Sequence, residues 1–78
     1  MTVTVARTLD CKGLSCPLPI VKTAQAIRTL AAGDLIEVLA TDPGSVKDFA
    51  AWSKVTGNEI VKAGQEGGVF RFLLKKKG

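Results

Sequence analysis

From Thr2 to Leu9 apolar and polar residues alternate, with Val3, Val5 and Leu9 on one side and threonines on the other; that period of two predicts a half-buried strand. Asp10 to Ser15 reads as a loop turned by Gly13. From Pro17 to Ala32 the period lengthens. Ile20, Ala24, Ile27 and Ala31 recur at helical spacing while Lys22, Gln25, Arg28 and Thr29 fall elsewhere, and Gly33 stands where a helix closes on a left-handed glycine. Leu35 to Ala40, rich in Leu, Ile and Val, predicts a second strand. Asp42-Pro43 then supplies an N-cap followed by proline at the first helical position, for a helix to about Thr56 with Val46, Phe49 and Ala50 inward. Gly57-Asn58 opens a third strand, Glu59 to Ala63; Gly64 to Gly68 turns the chain, and Val69 to Lys75 returns with Phe70, Phe72 and Leu74 on one face.

The predicted order is β-α-β-α-β-β. Each strand-helix-strand unit crosses over right-handed, and winding in one direction places both helices on the same side. The expected fold is therefore an α/β (α+β) two-layer sandwich, a four-stranded mixed sheet with two helices on one face and the other face uncovered. Seventy-eight residues, 46% hydrophobic and 23% charged, suit one small globular domain, residues 1–78, with no repeat, linker or low-complexity segment.

No apolar run approaches the roughly 20 residues of a membrane span, and the alternating N-terminus lacks the apolar region of a secretory signal. A cytoplasmic protein without membrane contact is expected. The formal charge of +4 raises the question of nucleic acid, but four of the eleven basic residues (Arg71, Lys75, Lys76, Lys77) lie in the last eight positions. The few aromatics are not interleaved with bases as in a single-strand binder. The basic tail reads as a solvated end that discourages sheet self-pairing and steers acidic protein partners, not as a nucleic-acid site.

Composition changes the picture most at the two cysteines. Cys11 and Cys16 are too close in sequence for a disulfide to staple a domain, and a reducing compartment favours redox or nucleophilic roles. Cys16 precedes Pro17-Leu18-Pro19, and prolines are tolerated only in a first helical turn. Its expected place is the N-cap, where peptide dipoles and free N–H groups stabilise a thiolate. The chain has no histidine, which rules out a Cys-His nucleophile pair. Two thiolates fall short of a zinc ligand set within one chain, so no metal is expected. Cys11 stays open between a plain loop cysteine and a resolving thiol, and Lys12 between a solvated lysine and electrostatic support for the anion.

The stretch Leu9-Asp10-Cys11-Lys12-Gly13-Leu14-Ser15-Cys16-Pro17-Leu18-Pro19 resembles the signature of the TusA/SirA-like sulfur carriers, small proteins with a Cys-Pro-x-Pro motif at the start of the first helix. Asp42-Pro43, Trp52, Gly57 and the Val69-Phe70-Arg71-Phe72-Leu73 strand also look like that family, so the resemblance covers nearly the whole chain. It implies the fold derived above. It also implies that Cys16 carries sulfane sulfur as a persulfide, taken from a donor sulfurtransferase, a rhodanese or a cysteine desulfurase, and passed to an acceptor protein in tRNA thiolation, cofactor assembly or sulfur oxidation. That makes it a covalent relay more than a turnover enzyme, with no cofactor beyond the sulfur on Cys16.

Asp10 looks like the family's acidic residue at the end of the first strand and is expected to hold the loop by accepting backbone N–H bonds. Because the sulfur must enter another protein's active site, Gly13, Leu14 and the Leu18 edge, with Lys12 and the motif prolines Pro17 and Pro19, form the expected contact region. Trp52 reads as core edge and Arg71 as a solvated arginine on the open sheet face. The alternative function is a thiol-disulfide redox module using Cys11 and Cys16. Its spacing argues against it, since thioredoxin-like motifs place two residues between the cysteines and here there are four.

Overall fold

The sheet is built around β2 (Leu35–Ala40), where Ile36, Val38 and Ala40 are buried and alternate with half-buried Leu35, Glu37 and Leu39. The computed structural model describes residues 5–15 and 18–77. In chain order they form β1 (Val5–Cys11), α1 (Leu18–Ile27), β2, α2 (Ser45–Thr56), β3 (Glu59–Glu66) and β4 (Val69–Lys75). β1 pairs parallel to β2, β4 pairs antiparallel to β2, and β3 pairs antiparallel to β4, giving the order β1-β2-β4-β3. The β1-α1-β2 and β2-α2-β3 crossovers advance across the sheet in the same direction, so both helices cover one face. The expected mixed sheet with two helices is the observed architecture.

The core lies between the layers. Phe49 of α2 is fully buried and stacks on Phe72 of β4 with ring centroids 4.5 Å apart; Trp52 meets Phe49 edge-on at 6.1 Å. Cys11, Ala26, Ile27 and Leu74 complete the fully enclosed apolar set with the β2 residues.

β1 runs on to Cys11, past the expected end at Leu9, and three further boundaries differ from the sequence expectation. α1 stops at Ile27 and not at Ala32, because its last carbonyls are taken by tighter bonds. The N–H and hydroxyl of Thr29 both donate to the Ala26 carbonyl (3.1 and 2.7 Å), and the Leu30 N–H donates to Ile27 (3.1 Å). Gly33, at φ 88°, is thus not a helix cap; its N–H donates to the Lys76 carbonyl (2.9 Å), which ties the turn to the end of β4. The buried face of α1 is Pro19, Thr23, Ala26 and Ile27: Ile27 is buried as expected, while the rest of the face lies one position or more away from the expected Ile20, Ala24 and Ala31.

α2 begins at Ser45, two residues later than expected. Asp42 is occupied by its own turn: its Oδ1 accepts from the Gly44 N–H (3.0 Å), and its carbonyl accepts from the N–H and hydroxyl of Ser45 (3.0 and 2.7 Å). On α2, Ser45 and Phe49 face inward while Val46 and Ala50, expected inward, are exposed. The β3–β4 connection is shorter than expected. Pairing continues to Glu66 opposite Val69, and only Gly67 and Gly68 turn the chain, both with positive φ (56° and 80°), as a tight hairpin of this hand requires.

Candidate functional site

The loop between β1 and α1 is held by backbone bonds along its length. At the end of β1, Asp10 Oδ1 accepts from the Lys12 N–H (3.0 Å), the bond expected of it. The Leu14 N–H donates to the Cys11 carbonyl (3.2 Å), closing a turn that Gly13 makes possible at φ 82°. The Gly13 N–H donates to Thr41 Oγ1 (2.9 Å), which fastens the loop to the chain just before α2. The Leu18 N–H donates to the Ser15 carbonyl (2.8 Å). The way out of the loop and the first residue of α1 are therefore held one hydrogen bond apart. Cys16 and Pro17, between them in sequence, lie outside the described residues, and so does the expected N-cap position of the thiol.

Around this point the structure brings together most of the expected contact residues. Lys12 and Gly13 are exposed, Leu14 is half-buried against the core, and Leu18 is 46% exposed at the first position of α1. Pro19 is different. It is buried beneath the helix, where its carbonyl accepts the Thr23 hydroxyl (2.7 Å), so it packs the first turn and is withdrawn from any surface contact.

Cys11 is the larger correction. The expectation placed it in a loop, but it is the last residue of β1, opposite Ala40, with no exposed surface. Burial pushes its thiol up from the ordinary 9.0; the Lys22 ammonium opposes that rise and the Asp10 carboxylate adds to it. A buried thiol with raised pKa is a poor nucleophile. As the structure stands, Cys11 serves as a small apolar side chain under the loop and has no access for a resolving role.

Thr41, whose hydroxyl holds Gly13, is not singled out by the sequence pattern. The signal available was a hydroxyl residue directly after β2, beside Asp42-Pro43, and nothing local says that its partner lies 28 residues away. Trp52 belongs to the core edge as expected. Arg71 lies on the open sheet face with its Nε 3.5 Å from Glu37 Oε2. Among the described residues, no helix is long and apolar enough to cross a membrane.

Comparison with known proteins gives a consistent picture. A family model described as "Sulfurtransferase TusA" matches residues 7–76. The sulfur carrier protein TusA of Allochromatium vinosum is 52% identical over 68 residues, which cover 87% of this chain and 90% of that protein. In Bacillus subtilis, the putative sulfur carrier protein YrkI is 43% identical over 70 residues, covering 90% of this chain and 93% of YrkI. The putative sulfur carrier protein YrkF of the same organism is 49% identical over 70 residues but is longer, the match covering 38% of it. The crystal structure of a SirA-like protein from Desulfitobacterium hafniense superposes with a TM-score of 0.80, covering 92% of this chain and 99% of that one, at 22% identity. It has the same fold.

Proposed function

Because the chain belongs to the TusA family of sulfur carriers, we propose that Cys16 is its carrier residue and holds sulfane sulfur as a persulfide. The observation that carries this reading is the sealing of Cys11 in the core. Of the two thiols in the sequence, that leaves Cys16, which in sequence follows the fastened loop and comes two residues before Leu18, the first residue of a ten-residue helix. A helix N-terminus favours an anion, and a persulfide is more acidic than a thiol.

The transfer balances without any external oxidant. The Cys16 thiolate attacks the outer sulfur of a donor persulfide, the donor's S–S bond breaks, and the donor leaves as a thiolate while Cys16 keeps the sulfane sulfur. Delivery is the same exchange in reverse, with an acceptor nucleophile attacking the outer sulfur. The sulfur travels covalently, so no cofactor is called for. Donors of the rhodanese or cysteine desulfurase kind and a sulfur-accepting protein in a reducing cytoplasm complete the relay. The loop at Lys12, Gly13 and Leu14, with Leu18, is the surface they meet.

The thiol-disulfide module draws no support from a Cys11 with no exposed surface. Intact-mass measurement after incubation with a persulfidated cysteine desulfurase tests the choice. Wild type and Cys11→Ser gain reductant-labile sulfur and Cys16→Ser gains none. Labile sulfur on Cys16→Ser, or its loss from Cys11→Ser, overturns the single-thiol carrier.

A further inference from the structure

The charges of this protein are divided unevenly between its two faces. The strand register places Asp10, Glu37, Glu59 and Glu66 on the open sheet face. Lys62, Arg71 and Lys75 lie among them, and Lys12 reaches the same concavity from the loop. Acids and bases cancel on that face, so the whole formal excess of +4 lies on the rest of the molecule.

On the helical side, Lys22, Lys47 and Lys54 of α1 and α2 and Arg28 just beyond α1 are all exposed, and the two helices contain a single acid, Asp48. Lys47 and Lys54 are seven residues apart, nearly two helical turns, and share one outer line of α2; Arg28 stands in the turn that follows α1. On the same two helices, Leu18 and Val21 of α1 and Val46 and Val55 of α2 are exposed by 43–86%. Leu18 and Val21 lie in the first turn of α1, which the Ser15–Leu18 bond joins to the sulfur loop; Val46, in the first turn of α2 beyond the Gly13–Thr41 bond, borders a groove with Ala63, Gln65 and Phe70 of the β3–β4 hairpin.

The geometry points to the outer surface of α1 and α2 as the face on which an acidic, partly apolar protein surface docks, steering its reactive group onto the loop beside it. This rests on the carrier reading above and adds to it the chemistry of the partner and the side of approach. Charge complementarity argues for an acidic partner. Its being a protein follows from the exposed apolar residues on the same helices as the lysines and from the lack of a stacking platform: Phe49 and Phe72 are buried, and Trp52 and Phe70 are packed against the core. Apart from Lys12 on the loop, the open sheet face takes no part.

Two double variants that change net charge equally separate position from charge. Lys47→Glu/Lys54→Glu alters the helical face and Lys62→Glu/Lys75→Glu the sheet face, with circular dichroism to confirm that both fold. Lys47→Gln/Lys54→Gln serves should the reversal not fold. Sulfur transfer from an acidic persulfidated rhodanese should slow about 10-fold or more for the helical variant and less than about 2-fold for the sheet variant. The wild-type rate should fall between about 20 and 300 mM salt. Loading by inorganic polysulfide, which needs no docking, should be the same for all three proteins.

Equal slowing of both variants reduces the effect to net charge and overturns the docking face, and so does an unchanged rate in the helical variant. Tight, salt-sensitive binding of poly-U RNA that the helical variant alone loses, with transfer intact, overturns it in favour of nucleic acid. Failure of wild type to take sulfur from polysulfide has a separate signature. It removes the carrier reading, and the docking role with it.

Discussion

The helical face and the open sheet face are built from the same kinds of residue and differ in arrangement. On the sheet, opposite charges are neighbours: Arg71 lies 3.5 Å from Glu37, and Glu59 stands opposite Lys75 across the β3–β4 pair. Such pairing lets an uncovered sheet with the exposed edge strand β3 stay solvated without an attractive patch. On the helices, cations stand with one acid among them and with exposed leucine and valine side chains on the same elements. A net charge of +4 therefore says little by itself. Its distribution distinguishes a surface adapted to water from one adapted to a partner.

The comparison is most severely tested where α2 is fastened to the sheet. Phe49 has no exposed surface and stacks on Phe72, so Phe49→Ala should destabilise by about 3–5 kcal/mol, a large part of the stability of a small domain. Leu73, half-buried on the open face, should cost about 1–2 kcal/mol as Leu73→Ala, since water already reaches it. Urea unfolding of the two variants reads the difference. Equal losses would show that something covers the open face in solution.

A second contrast lies beneath the loop. Cys11 holds its proton more tightly folded than unfolded, because burial raises its pKa above 9.0. For a neutral acid group raised in this way, the unfolded chain binds fewer protons than the folded one at high pH. Stability is complete below pH 9 and declines above it, by at most about 1.4 kcal/mol per pH unit from this one group. Denaturation of wild type and Cys11→Ala between about pH 7 and 10 should show the extra decline in wild type only. Parallel pH profiles would mean that Cys11 is open to solvent, and would return it to the candidates for resolving chemistry.

The loop latch is a smaller effect. Thr41→Val removes the acceptor of the Gly13 N–H, an exposed bond of 2.9 Å whose loss water partly offsets, so the stability cost should be about 0.5–1 kcal/mol. Amide exchange at Gly13 should rise more than in β2 or β4. Unaltered exchange there would mean that the Cys11–Leu14 and Asp10–Lys12 bonds hold the loop alone.

What could be read from the sequence follows the range of the forces involved. β4 is legible because its alternation of Phe70, Phe72 and Leu74 records which side of a strand is buried, β2 because of its run of Leu, Ile and Val, and Phe49 because it falls on the inner side of a helix. Asp10 and Gly13 acted as read, since an Asx turn and a positive φ are local. The errors arose where distant groups intervene. Gly33 is held by Lys76 and not by the helix before it, and Leu30 accepts a hydrogen bond from the Lys76 ammonium. The local pattern sets Cys11 in a loop because its burial depends on pairing with β2, although its parity with Leu9 is present in the alternation.

The smallest expected effect tests the sheet side of the comparison. The Arg71–Glu37 pair is open to water, with 62% and 27% of the two side chains exposed, and pairs of this kind contribute between nothing and about 1 kcal/mol. Arg71→Gln should therefore change unfolding free energy by less than about 0.5 kcal/mol at moderate salt. It should leave sulfur transfer unchanged, even though it removes one positive charge, as Lys47→Gln does. The two single variants have the same net charge, so a protein-to-protein transfer assay at low salt compares position alone. Lys47→Gln should be the slower. If Arg71→Gln is slowed as much, the open face takes part in docking, and the division of labour between the two faces fails at its least perturbing test.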